Sequence, residues 1–434
     1  MTTITTYTVP PSLDEKYPRV YDSPVRGEVE QRYYPENESI EASAPAPAPA
    51  PTPAAPQATQ SALLLHGIGQ QYTLVTDHAI PSVLGKEEIL VKIQAIGLNP
   101  IDWKGPAYNF GIPALPWING RDLAGVVVAV RDAAHPRIRV GDRVLVPSTD
   151  YRDIRKAAFQ QYAVATHFNA ARIPAQTGVH VSAALGVAFV ASTLALGVSL
   201  GLDLSTIAAC PGPDLVAAVQ AIAAAEIPAD VREECFSAVP APERLRRGQW
   251  LVIWGASTTT GMITLQLAKL AGLKVIGVAD VARHGARLHA LGADVLVDRH
   301  DPARAVEIIR GVTGGKLRYA VDIVGRETAT LLQGVLDETG REDGSHAHLL
   351  GLTGLPKERR AGIKYHTVPI KLFHSSVGVG EKMVAWLEAL LASNTLLAPE
   401  VVRHAGGLEG VNAALDTLRQ GSVSGKRIVV DLEG

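Results

Sequence analysis

The chain has 434 residues, 47% hydrophobic and 19% charged, enough apolar surface for a sizeable core and length for two or three domains. Its 41 basic and 43 acidic residues leave a net charge of −2 with no basic block, which argues against nucleic acid or an anionic membrane as partner. Two cysteines, Cys210 and Cys235, cannot build a four-thiolate zinc lobe or a disulfide framework, and their rarity fits a reducing, cytoplasmic setting.

Residues 1–58 lack the basic and apolar regions of a secretory signal and end in an alternating Ala-Pro tract. That composition favours solvated, extended backbone, so a disordered tail is expected. Beyond it, residues 88–98 alternate in strand fashion. Residues 122–130 are β-branched and follow the turn signal Asn119-Gly120, and 140–146 hold a Gly-Asp turn and a short strand. No helical pattern of useful length separates them, so a compact, mostly antiparallel, barrel-like β unit is expected.

The stretch from Val181 to Leu202 is uncharged and long enough to cross a bilayer, but it is rich in Ala, Gly, Ser and Val and has no basic flank. It reads as one buried helix. Residues 203–246 form an apolar insert with an expected helix over 214–226. From Trp250 onward, strands at 251–254, 274–279, 293–298, 319–324 and 348–352 alternate with helical stretches at 261–271, 281–291 and 301–311. That alternation predicts a doubly wound parallel sheet. Helices near 381–393 and 408–420 follow, and the chain ends in GKRIVVDL, a strand that could rejoin the first domain.

The junction at 254–261, WGASTTTG, has a strand before it and a helix after it, the context that makes a glycine fingerprint meaningful. Backbone N–H groups at a helix start attract a pyrophosphate. Gly255 permits the tight turn and Gly261 the close helix–sheet packing. The usual middle glycine is absent; Ser257, Thr258, Thr259 and Thr260 offer hydroxyl donors in its place, or cap the helix. After the second strand, the slot for an acid on the ribose 2′-hydroxyl is Ala279; Asp280 follows, then Arg283. Arg283 favours a 2′-phosphate and hence NADPH, whereas Asp280 opposes it or simply caps the next helix.

Four segments together resemble the medium-chain dehydrogenase/reductase superfamily: GLNPIDWK (97–104), NGRDLAGVVVAV (119–130) with GDRVLV (141–146), WGASTTTG, and GSVSGKRIVV (421–430). The resemblance covers residues 60–434. It implies an α/β protein with a GroES-like β-barrel catalytic domain at 59–186 and 372–434 and a Rossmann cofactor domain at 187–371. The first segment is most similar to the zinc-independent quinone and enoyl reductase branch, and within it to fungal trans-acting enoyl reductases that serve polyketide synthases. Where the zinc branch has cysteine, this chain has Asn99, and its Gly-His-Glu is here Gly120-Arg121-Asp122. Two of three ligands are thus replaced, so no zinc is expected. Without a Lewis acid to ionise an alcohol, reduction of a conjugated C=C bond is the expected chemistry.

The resemblance places Lys104 near the nicotinamide and the substrate cleft, as donor to a developing enolate or to cofactor hydroxyls. It places Thr193 close to the nicotinamide, and Tyr108 and His374 are further proton-donor candidates. Asn99 and Asp102 line the cleft or form a turn, with Asp102 a candidate helix cap. His66, His78 and His135 show no ligand spacing. The expected substrate is a small-molecule or carrier-bound enoyl group, with a polyketide synthase as partner; a quinone or free enone is the alternative, and a non-redox cyclase or binding protein on this fold is a third reading.

Overall fold

The computed structural model describes residues 58–132, 137–237, 239–339 and 344–432. The tail expected over 1–58 lies outside these residues except for Ala58, as does His135. Strands β1 (Thr59–Leu64) and β2 (Thr73–Ala79) pair antiparallel. Then come β3 (Glu88–Gly97), β4 (Asp122–Val130), β5 (Arg143–Val146), β6 (Tyr162–Thr166) and β7 (Ala171–Arg172). They sit in one seven-stranded sheet ordered β14-β15-β3-β4-β5-β7, with β6 also on β3; β14 is Glu400–His404 and β15 is Lys426–Asp431. The C-terminal strand therefore does rejoin the first sheet, antiparallel to β3. One expectation fails here. A nine-residue helix, α1 (Pro100–Tyr108), does separate β3 from β4. Its pattern was masked by two prolines and a glycine, yet Pro100 suits a first turn, where no N–H is needed.

The apolar stretch after β7 is not one helix. It forms α2 (Val179–Ala183), α3 (Gly186–Leu194) and a wide helical turn over 195–199. The break has a cause: the Val187 N–H, which a continuous helix would give to Ala183, goes to the buried carboxylate of Asp122 at 2.7 Å. No helix among the described residues is long and apolar enough to cross a membrane.

The insert holds α4 (Leu215–Gln220) and α5 (Ala229–Ser237), so the helix expected over 214–226 is only six residues long. Its Leu204, Ile207, Leu215, Val219 and Leu245 are buried in one core with Leu251, Ile253, Tyr319 and Val321. The insert is thus a lid of apolar packing on one face of the second sheet.

That sheet comprises β8 (Trp250–Trp254), β9 (Lys274–Ala279), β10 (Val295–Asp298), β11 (Tyr319–Asp322), β12 (Ala347–Gly351) and β13 (Ile363–His366). All neighbours are parallel, in the order β10-β9-β8-β11-β12-β13. Helices α6 (Thr259–Leu270), α7 (Val281–Ala290), α8 (Pro302–Thr313) and α9 (Arg326–Val335) connect the strands. The order reverses between β8 and β11, and such sheets bind ligands at the carboxyl ends of the strands at that point. Three further helices complete the chain: α10 (Ile370–Ser375), α11 (Val377–Ala392) and α12 (Val411–Arg419).

Across β11, β12 and β13, Tyr319, His348 and His366 stack with ring centroids 5.5 and 5.2 Å apart. The insert supplies acids to this ladder. Glu243 Oε2 lies 3.1 Å from His348 Nε2, and Glu234 Oε1 lies 3.0 Å from His366 Nδ1. The two imidazoles meet at 2.9 Å.

Candidate active site

The loop after β8 has the geometry of a phosphate cradle. Gly255 has φ 91°, a left-handed conformation that glycine adopts without strain. A Cβ at Gly261 would stand 2.3 Å from the Gly255 carbonyl oxygen, so only glycine lets α6 start this close to the turn. Thr258 is the cap of α6: its hydroxyl accepts from Gly261 N at 3.0 Å and donates to Gly255 O at 2.8 Å. Its oxygen is therefore engaged in holding the loop. Ser257, Thr259 and Thr260 make no side-chain hydrogen bond among the described residues.

At the end of β9, Asp280 caps α7, accepting from Arg283 N at 3.1 Å. Asp298, at the end of β10, accepts from Val281 N at 3.1 Å and from His300 N and Nδ1, each at 2.8 Å. These backbone donors hold the Asp298 carboxyl below its usual range. Arg283 is exposed and forms no ion pair among the described residues.

Helix α3 ties this loop to the first sheet. Ser192 Oγ donates to Thr260 O at 3.2 Å and accepts from Thr264 Oγ1 at 2.8 Å. Next to it, Thr193 is fully buried, and its hydroxyl has no partner among the described residues. Six residues earlier, about 9 Å along the helix axis, Val187 N rests on Asp122.

Asp122 is the hub. Oδ1 accepts from Ser148 N at 3.0 Å and Val187 N at 2.7 Å; Oδ2 accepts from Asn99 Nδ2 and the Arg427 guanidinium, each at 2.8 Å. Arg427 also donates to Asn99 Oδ1. Burial raises the Asp122 carboxyl above its ordinary value, while Arg427 and the three other donors pull it back. The Asn99 N–H donates to Asp102 Oδ2 at 2.7 Å; the N-cap of α1 is Asn99, and Asp102 supports it from inside the first turn rather than capping a helix that begins at Trp103. Burial pushes the Asp102 carboxyl up to about 7, and its Oδ1 has no partner among the described residues.

Arg121 stands apart from this hub. Its side chain is only 9% exposed, its guanidinium carbon lies 4.4 Å from the Tyr151 ring centroid, and it donates to Gly111 O at 3.3 Å. Lys371, on α10, lies beside Tyr151 and pairs with Asp230 of the insert at 2.6 Å. His374, one turn further on, is buried; desolvation pushes its ring down to about 3, so it is neutral, and Nδ1 has no partner among the described residues.

Lys104 and Tyr108 flank Trp103 on α1. The Lys104 ammonium is 5.7 Å from the Trp103 ring, whose other cationic neighbour is Arg419 of α12. Tyr108 is half exposed, with its ring 6.2 Å from that of Trp103. His66 is exposed and His78 half-buried. Sequence reasoning singled out the loop, Asn99 and Asp102, but not Arg427, Tyr151 or Ser192. For Arg427 the local signal is weak: it is the second of two adjacent cations, after Lys426, that open β15 ahead of the apolar Ile428–Val430.

The residues around the loop fit a dinucleotide, by the Gly255–Gly261 cradle and the unpartnered Thr193 hydroxyl. The residues at the zinc-branch positions do not fit the metal: a guanidinium is no ligand, and both Asn99 and Asp122 are saturated by Arg427 and backbone donors.

Residues 85–182 match the alcohol dehydrogenase GroES-like domain model and 259–342 the zinc-binding dehydrogenase model. The chain is 28% identical over 383 residues to a trans-enoyl reductase of Botryotinia fuckeliana, covering 81% of this chain and 93% of that one. It is 29% identical over 380 residues to one from a Fusarium species, covering 83% and 95%. Among solved structures, the Escherichia coli quinone oxidoreductase complexed with NADPH superposes with a TM-score of 0.62 at 18% identity, covering 86% of this chain and all of that one. The chain belongs to the medium-chain dehydrogenase/reductase superfamily and is an oxidoreductase of it.

Proposed function

We propose that this protein reduces the C=C bond of an α,β-unsaturated thioester with NADPH and without zinc, acting in trans in the cytoplasm on an enoyl chain carried by a polyketide synthase. The observation that carries it is the pairing of a dinucleotide cradle with a former metal position saturated by Arg427. The similarity to named trans-enoyl reductases supports the substrate class.

In this reading Gly255, Gly261 and the first N–H groups of α6 hold the pyrophosphate, with hydroxyls from Ser257, Thr259 and Thr260. Arg283 takes the 2′-phosphate, since Asp280 has one oxygen committed to capping α7. The bound cofactor supplies hydride. Thr193 orients the reacting end of the site, and Lys104 donates there to cofactor or substrate oxygens. Residues 59–186 with 372–434 act as the catalytic part and 187–371 as the cofactor part, a division supported by the two sheets.

The test is NADPH oxidation with a crotonyl thioester, a free enone and a quinone, each repeated with NADH. Preferential NADPH-dependent turnover of the thioester, with NADPH selectivity lost in Arg283→Ala, is the expected result. Faster turnover of the quinone sinks the thioester assignment. Cofactor binding without oxidation across the panel sinks the redox reading.

A further inference from the structure

The deepest uncommitted cation near the hub is Arg121. Among the described residues no carboxylate oxygen lies within 4.0 Å of its guanidinium, and its only hydrogen bond is from Nη2 to Gly111 O. Nε and Nη1 make no hydrogen bond among the described residues. A charged side chain this buried normally carries its counter-ion with it, because desolvation without a partner is costly. Asp102 supplies the largest compensating charge and Asp122 a smaller one, but neither forms an ion pair with the guanidinium. Tyr151 offers a ring face, and His374 is neutral. Asp102 gives one oxygen to the Asn99 N–H, and its carboxyl is raised by burial. Asp122 is saturated by Arg427. The arrangement is a buried guanidinium held on one face by Tyr151, with two of its nitrogens uncommitted.

The position of this guanidinium matters. Arg121 directly precedes Asp122, which holds the first turn of α3, and the last turn of α3 holds the dinucleotide loop. A group bound at Arg121 is thereby coupled through one rigid helix to the place where hydride is delivered.

We propose that Arg121 binds the carbonyl oxygen of the enoyl substrate through an uncommitted guanidinium N–H and stabilises it as an enolate. This rests on the C=C reduction proposed above. Hydride adds to the β-carbon, the C=C pair moves to join the α-carbon and carbonyl carbon, and the carbonyl π pair settles on oxygen. A proton delivered to the α-carbon restores the carbonyl, so the substrate gains one hydride and one proton. The charge that appears on oxygen is what a buried, preorganised guanidinium stabilises most. Tyr151 keeps the guanidinium plane fixed by stacking, which avoids reorganisation during the reaction.

The experiment uses Arg121→Gln and Arg121→Lys in the full chain, checked for an unchanged thermal melt. With a crotonyl thioester and NADPH, kcat is expected to fall about 100-fold or more in Arg121→Gln, with KM within about 3-fold and less loss in Arg121→Lys. NADPH affinity, read by fluorescence titration, is expected to stay the same. A second readout needs no turnover: crotonate, a planar carboxylate resembling the enolate, is titrated against crotonamide by calorimetry. Crotonate affinity is expected to drop at least about 10-fold in Arg121→Gln, with crotonamide unaffected. Unchanged kcat, a loss confined to KM, or crotonate binding insensitive to the substitution overturns the proposal. If the wild type oxidises no NADPH with any enoyl substrate, the C=C reading fails, and the crotonate titration still decides whether Arg121 binds anionic oxygen.

Discussion

Arg427 donates to Asp122 Oδ2 at 2.8 Å across 305 residues of sequence. The C-terminal strand β15 thereby reaches the residue that starts β4, and through Val187 N the same carboxylate fixes the start of α3. Removing the cation leaves a fully buried carboxylate with only neutral donors. Breaking a buried pair from one side costs about 3–5 kcal/mol. Arg427→Leu is therefore expected to lower unfolding free energy by about that amount in urea titration. The paired change Arg427→Leu with Asp122→Asn is expected to recover part of it. A loss under about 1 kcal/mol would show that the pair carries little of the fold.

The two glycine positions below separate cofactor geometry from general stability. Gly261→Ala puts a methyl 2.3 Å from the Gly255 carbonyl, so the turn or the helix must shift. NADPH affinity is expected to fall at least about 10-fold in this variant. Gly311, on α8, has nothing within 4 Å of an added Cβ and no left-handed φ. Gly311→Ala is expected to raise stability by about 0.4–1 kcal/mol and leave NADPH affinity alone. Equal NADPH binding by both variants would remove the loop from the cofactor site.

How far the sequence carried the reading depends on packing. β4 spans Asp122–Val130, the range expected from its β-branched run after a Gly turn, and the βαβ series is where alternation placed it. β2 and β14 carry mostly exposed or half-buried residues and so leave no alternation to detect. The apolar stretch from 181 failed as a single helix because a carboxylate about 65 residues away took one of its N–H groups. The same distance problem hid the hub. Asp122, Asn99 and Arg427 are ordinary polar residues until β3, β4 and β15 lie side by side. The loop was legible because its glycines act locally, through φ and close approach, within seven residues.

Lys104 offers a test of the reading that the family resemblance supplied. It sits on α1, half-buried, with its ammonium over Trp103. Lys104→Ala is expected to reduce turnover of a crotonyl thioester at least about 10-fold while leaving NADPH binding within about 3-fold. Lys104→Arg keeps the charge and is expected to retain part of the activity. If Lys104→Ala turns over normally, the side chain belongs to the surface packing of Trp103 and Arg419 rather than to the reaction.

The histidine ladder under the insert sets a pH dependence. Burial pushes the His348 ring down to about 3, with His366, Lys364, Arg318 and His346 adding to the shift. Glu243 and Glu234 face the two imidazoles from the insert, and Tyr319 stacks on His348. The folded value lies below the ordinary value of 6.5, so the unfolded chain takes up the proton first. Stability is therefore full above about pH 6.5 and is lost as pH falls toward 3, at up to about 1.4 kcal/mol per pH unit for this group. His374 shifts the same way and adds to the slope. The melting temperature is expected to drop steadily from pH 7 to pH 5. His348→Gln keeps a hydrogen-bonding side chain but cannot titrate, and is expected to flatten that slope. A variant with the wild-type slope would place the pH sensitivity elsewhere, and limited proteolysis within 203–246 at pH 5 would then fail to track the ladder.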